Sequence, residues 1–166
     1  MDNLEYDGII ITNLFGSILN FDYEKYKNKI VIVDNASSFM TRNISLMGNI
    51  SFSSLHHTKT LGFGEGGFIV CDKSEYDELQ AIIGFGFTLG DRTYKADTSN
   101  FKMSDVSAAF IIQHIINYDI EKHFEVQNIF RERLNNVEGI TFFDDSPDTF
   151  LGNLPVIFDK PTTIDF

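Results

Sequence analysis

Cysteine occurs once, as Cys71, proline three times, and tryptophan not at all in these 166 residues. A single thiol cannot close an internal disulfide, and no Cys-x-x-Cys pair exists to hold a metal or run redox chemistry. A reducing, cytoplasmic compartment is therefore the expected one. So few prolines exclude a collagen-like or proline-rich linker chain. Cations are also scarce. Thirteen Lys and Arg face 24 Asp and Glu, a formal net charge of −11. Phosphate-backbone affinity comes mostly from Lys and Arg, so a nucleic-acid binder is not expected. The same excess of acid argues against an electrostatic hold on anionic membrane. The apolar runs stop far short of the roughly 18 residues a membrane helix needs. Met1-Asp2-Asn3-Leu4-Glu5 has neither the basic start nor the apolar stretch of a signal peptide.

What is present is a core-forming composition, 43% apolar and 14% aromatic, with 17 Phe and 6 Tyr. A chain this long can bury roughly 68–70% of its unfolded surface, so one typical domain is expected. Gly8-Ile9-Ile10-Ile11-Thr12 and Ile30-Val31-Ile32-Val33 are continuous β-branched runs. Such runs predict central parallel strands covered on both faces. The polar stretch Asp22–Lys27 between them allows one or two helical turns, giving a βαβ unit. Asn49–Ser54 alternates and reads as a strand, as does Phe68–Cys71. Ser74 is a good N-cap for a helix bearing Tyr76, Leu79 and Ile83 on one stripe. That helix should fade at Gly84-Phe85-Gly86, with a loop through Arg92. Ser104-Asp105 caps a second helix whose first turns are apolar all round, predicting burial. The helical pattern continues to Gly139 with a bend near Asn117–Asp119, and Ile140–Phe143 starts a fresh strand.

Few residues stand out chemically. Asp34 ends a buried strand, where open α/β sheets place their ligands, although a turn cap reads the same way. Gly62, Gly64 and Gly67 match G-x-G-x-x-G, but the dinucleotide motif must open a helix, and these glycines run into a strand. A tight turn between strands is the plainer reading. His56 and His57 are adjacent and should point to different sides of an extended chain, while His114 and His123 lie nine apart. No metal site is expected. Lys59 sits between an apolar strand and the glycine turn, five residues after Ser54. A desolvated lysine can serve as an amine nucleophile. An exposed loop lysine fits the same position.

Four segments occur in order: Asp34-Asn35-Ala36-Ser37, Ser54-Leu55-His56-His57-Thr58-Lys59, Gly64-Glu65-Gly66-Gly67 and Asn100-Phe101-Lys102-Met103-Ser104-Asp105-Val106-Ser107-Ala108-Ala109. Together they resemble the DegT/DnrJ/EryC1/StrS family of pyridoxal-phosphate (PLP)-dependent sugar aminotransferases, from about Ile9 to Ala109. Asn13-Leu14-Phe15-Gly16 resembles the strand-end segment that precedes the acidic motif there. The resemblance implies an α/β fold, the three-layer αβα large domain of PLP-dependent transferase fold type I, with a mostly parallel sheet truncated at both ends. Residues 1–138 would form a partial PLP-binding large domain with a long inter-domain helix, and 139–166 the start of the small C-terminal domain.

Carried over by motif, Lys59 would form the internal aldimine and shuttle the proton. Asp34 would pair with the pyridinium nitrogen, Ser54 would bond the cofactor phosphate, and Asn100 would reach the phosphate held by a neighbouring subunit. Ser37 stands where many members carry His or Gln against the ring hydroxyl, and Lys102 where an Arg is frequent. A dehydrating sister branch has histidine at the lysine position, so Lys59 favours transamination. The implied reaction transfers an amino group from glutamate to a nucleotide-linked keto-sugar, usually for surface-polysaccharide precursors. The implied assembly is a homodimer or a complementing chain. Family chains are roughly twice as long, so the expectation is a fragment. A non-catalytic remnant, a partner subunit of a split enzyme, or an unrelated nucleotide-binding domain are the alternatives.

Overall fold

A computed structural model describes residues 5–38, 40–41, 48–87, 98–143, 146 and 149–161. Residues 88–97, which include most of the loop expected through Arg92, lie outside the described residues, as do both extreme ends of the two expected domains. A four-stranded sheet runs in spatial order β1 (Gly8–Thr12), β2 (Ile30–Asp34), β3 (Ile50–Ser54) and β4 (Gly67–Cys71). The pairs β1–β2 and β2–β3 are parallel, and β3–β4 is antiparallel. The sheet is thus mostly parallel, as expected. Its β1-to-β2 connection carries only 3₁₀ turns, Leu14–Gly16 and Tyr23–Tyr26.

Side chains alternate across a strand, so register sorts the sheet into two faces. One face carries Ile9, Ile11, Val31, Val33, Ser51 and Ser53. Ile11, Val31 and Val33 are buried there, and Phe21, Tyr23 and Tyr26 pack over them. The opposite face carries Ile10, Ile30 and Ile69, which are 70%, 52% and 42% exposed. Coverage on both faces was the expectation from the continuous apolar runs. That part is corrected. Apolar content reports what a strand could bury, and the described residues supply a layer for one face only.

The first helix, α1, spans Lys73–Ile83 with Asp72, not Ser74, at its N-cap. It ends at Gly84, followed by Phe85 in the left-handed region. Ser104 caps α2 (Asp105–Asn117), its side chain accepting from Ser107 N. Tyr118 then adopts an extended conformation, and Asp119 caps α3 (Ile120–Leu134) by accepting from Lys122 N. The expected bend is therefore a full break between two helices. Burial of the opening turns of α2 is also corrected. Only Ile111 is buried on α2, while Val106, Phe110 and Ile116 are 65%, 57% and 71% exposed. Strands β5 (Ile140–Phe142) and β6 (Val156–Phe158) form a separate antiparallel pair. The segment between them returns to the main body, where Thr149, Phe150 and Leu151 are buried.

Candidate active site

The site grows from the carboxyl ends of β1, β2 and β3. Asp34 is the last residue of β2, in register with Thr12 and Phe52. Its Oδ1 accepts from Ala36 N at 3.0 Å, and its second oxygen has no partner among the described residues. Alternation places Asp34 on the open face and its neighbour Asn35 on the closed one. Asn35 is fully buried. Its Oδ1 accepts from Asn13 Nδ2 at 2.7 Å and its Nδ2 donates to Ser51 Oγ at 2.9 Å. Asn13 in turn accepts from Leu19 N, and its carbonyl accepts from Ser38 Oγ. This buried network ties the ends of β1 and β2 to the start of β3, at Ser51, and to the turn after β2 at Ser38, and so fixes where Asp34 and Ser37 stand. In an interior of low dielectric such satisfied networks specify one geometry. Sequence reasoning saw Asn13 and Asn35 only as strand ends. The available signal was an asparagine two positions after the last apolar residue of each run, in phase with Ile11 and Val33.

Lys59 is reached through a turn rather than an extended chain. Lys59 N donates to the His56 carbonyl at 2.8 Å, and Gly62 N to the Lys59 carbonyl at 2.9 Å. The glycine segment folds back alongside, with Leu55 N bonded to Gly66 O and His57 N to Gly64 O. A Cβ at Gly62 would overlap the His56 carbonyl oxygen, so only glycine closes this approach. The glycines lead into β4 and open no helix, which removes the anion-binding helix N-terminus a dinucleotide motif needs. The same turn overturns the expectation that His56 and His57 diverge. Their ring centroids lie 4.0 Å apart.

The half-buried Lys59 donates from Nζ to Ser37 Oγ at 3.1 Å, and no carboxylate partners it among the described residues. Lys59 and Ser37 line one crevice together with Ala36, Thr60, Phe150 and Asn153. Phe150 and Asn153 arrive from the β5–β6 connection some 90 residues along the chain, and nothing in the local sequence announces them. Ser54 closes β3, and its Oγ accepts from His56 N at 3.2 Å. Asn100 stands apart from the crevice, exposed and bridged to Gly84. Five expected positions thus divide into a bonded pair, Ser37 and Lys59; two strand-end residues, Asp34 and Ser54; and one outlier, Asn100.

A family model, the DegT/DnrJ/EryC1/StrS aminotransferase family, matches residues 5–160. The chain belongs to this family. Curated sequence relatives agree. The chain is 30% identical over 125 residues to dTDP-4-amino-4,6-dideoxy-D-glucose transaminase of Shigella dysenteriae, covering 71% of this chain and 34% of that protein. It is 29% identical over 135 residues to GDP-perosamine synthase of Escherichia coli O157:H7, covering 76% and 36%. Solved structures share the fold at lower identity. An aminotransferase of the same family from Brucella abortus superposes with a TM-score of 0.72 at 19% identity, over 91% of this chain and 43% of that one. The E. coli GDP-4-keto-6-deoxy-D-mannose-3-dehydratase with bound hydrated PLP gives 0.77 at 18%, over 95% and 48%. The DegT/DnrJ/EryC1/StrS chain described here spans about a third of the length of the curated relatives it matches.

Proposed function

We propose that this chain carries the lysine-bearing part of a PLP-dependent aminotransferase acting on a nucleotide-linked keto-sugar, with glutamate as amino donor. The observation that carries the reading is the Lys59–Ser37 pair beside the strand-end Asp34. PLP, when bound, supplies an aldehyde for amine attachment and a ring that acts as an electron sink. The described residues fit such a group. Asp34 has a carboxylate oxygen with no partner among the described residues, on the sheet face where Ile10 and Ile30 are exposed, and Lys59 is held by a neutral hydroxyl instead of a carboxylate.

In this reading Asp34 faces the ring nitrogen and keeps it protonated. Ser54 gives its hydroxyl proton to the phosphate, since its oxygen already accepts from the turn. Ser37 stands beside the ring hydroxyl and orients Nζ of Lys59. Lys59 provides the amine and moves the proton at the substrate carbon. Asn100, away from the crevice, contributes across a dimer interface. Cytoplasmic synthesis of surface-polysaccharide precursors suits this chemistry, and among the described residues no helix is long and apolar enough to cross a membrane. Residues 1–138 then belong to the large domain and 139–166 to the small one, a division supported by the separate β5–β6 sheet.

The test is to add PLP to the purified chain, reduce with borohydride, and locate the adduct by mass spectrometry. A stable adduct on Lys59, lost in Lys59→Ala, is expected. Absence of any Lys59 adduct would remove the proposal. A second reading, a partner subunit of a split enzyme, is favoured by the exposed Ile10, Ile30, Phe110 and Ile116. It predicts that the chain forms the adduct but transfers no amino group until a polypeptide covering the rest of the family's length is added. A non-catalytic remnant would gain nothing from that addition.

A further inference from the structure

We propose that His56, His57 and Glu65 form a binding site for a divalent transition-metal ion of the zinc class, bridging the lysine turn and the glycine turn. One donor atom from each residue lies within 4.8 Å of the others. A tetrahedral ion with bonds of roughly 2.0–2.1 Å to nitrogen and oxygen sets its ligand atoms about 3.4 Å apart. His56 Nε2 and Glu65 Oε1 are already 3.3 Å apart. His57 and Glu65 are exposed, so rotation of free side chains closes the remaining gap without moving backbone.

The donor set decides the class of ion. Two imidazoles and one carboxylate suit zinc and its first-row neighbours, with the fourth position left to water. Calcium and magnesium prefer all-oxygen sites. Ligating histidines commonly donate their second ring N–H to an oxygen that fixes the ring. Thr58 Oγ1 stands 2.7 Å from Nδ1 of His56 and fits that role. Thr58 N–H also points at Nδ1, at 3.2 Å. That contact favours the proton on Nε2 before metal enters. Ligation through Nε2 would place the proton on Nδ1, donated to the Thr58 hydroxyl, and the Thr58 N–H would give up its contact with that nitrogen.

The two ligand-bearing turns are the ones already joined by the Leu55–Gly66 and His57–Gly64 backbone bonds. A bound ion would therefore add a staple next to Lys59 without altering the local fold.

The full chain would be titrated with zinc chloride by isothermal calorimetry, and with cobalt(II) by visible absorption. The expected result is one ion per chain, with a cobalt spectrum of tetrahedral type. His57→Ala and Glu65→Gln should each weaken affinity by about tenfold or more. His114→Ala, on the exposed side of α2, should leave binding unchanged. The proposal is overturned if wild type takes up no ion at about 1 mM, or if His57→Ala and Glu65→Gln keep wild-type affinity. It is equally overturned if His114→Ala weakens binding as much as they do. Circular dichroism of each variant separates lost ligation from lost folding.

Discussion

The two faces of the sheet are built from the same residue types and meet opposite fates. Ile11, Val31 and Val33 are 4%, 3% and 0% exposed on one side. Ile10 and Ile30, one step along the same strands, are 70% and 52% exposed on the other. The difference extends to the strand ends. Asn35 continues the closed face as a hub of buried hydrogen bonds, while Asp34 continues the open face with one carboxylate oxygen unengaged among the described residues. Stability and chemistry are thus assigned by alternation. The closed face holds the strands together, and the open face presents Asp34, the residue proposed to meet the cofactor. Burying Asp34 on the closed side would cost its hydration and leave it protonated or paired.

The largest effect should come from the closed face itself. Ile11→Ala deletes a buried side chain beneath Tyr23 and Tyr26, and a cost of about 2–5 kcal/mol is expected. Urea denaturation measures it. A cost under about 1 kcal/mol would mean that the closed face is no better packed than the open one. Asn35→Ala follows. It strands the amide of Asn13 and the hydroxyl of Ser51, and about 1–3 kcal/mol is expected for groups left buried without partners. It should also loosen the turn bearing Ser37, so the borohydride-trapped yield on Lys59 with PLP should fall even where the protein remains folded. Retained stability together with lost trapping would point to a purely positional role.

Much of this division was legible in the sequence, and the part that was not has a physical cause. The strands, the tight glycine turn and the Ser104 cap follow from local chemistry: β-branched runs, a glycine where a carbonyl crowds, a hydroxyl before a helical stripe. Ser37 and Lys59 came from motif order, 22 residues apart, and the structure bonds them directly. Which face of β1 and β2 is covered could not be read, because a continuous apolar run carries no alternation to break the symmetry. The approach of Phe150 and Asn153 to Lys59 is a contact of long sequence separation with no periodic trace. His56 and His57 were misjudged because side-chain alternation holds only in extended chain, and they sit in a turn.

A third, smaller effect concerns pH. Burial of Tyr23 on the closed face raises its phenol above the ordinary value of 10.0. A folded state that holds this proton more tightly than the unfolded one is fully stabilised below that value. The advantage is lost as pH rises toward and through the raised folded value, because the unfolded chain then ionises first. The urea midpoint should therefore fall above pH 10 and fall less steeply in Tyr23→Phe. Tyr118 is raised for the same reason and contributes in the same direction, so only part of the slope should disappear. An unchanged slope in Tyr23→Phe would remove the closed face from the alkaline transition.

The smallest stability effect belongs to the open face, and it is the sharpest test of the comparison. Ile10→Thr keeps the β-branched shape and the strand propensity while replacing one exposed methyl-bearing arm with a hydroxyl. Surface substitutions away from caps and buried networks usually stay within about 0.5 kcal/mol, so the urea midpoint of the isolated chain should hardly move. Association should respond differently. Contiguous exposed apolar surface marks a face that meets another polypeptide, and Ile10 stands between Ile30 and the strand end that carries Asp34. Sedimentation velocity of wild type against Ile10→Thr therefore separates the two properties. Unchanged folding with weakened self-association, or with weakened capture of a polypeptide covering the rest of the family's length, would mark the open face as an unfilled interface. A loss of folding stability equal to that of Ile11→Ala would mean instead that Ile10 contributes to the chain's own core, and the asymmetry between the faces would fall.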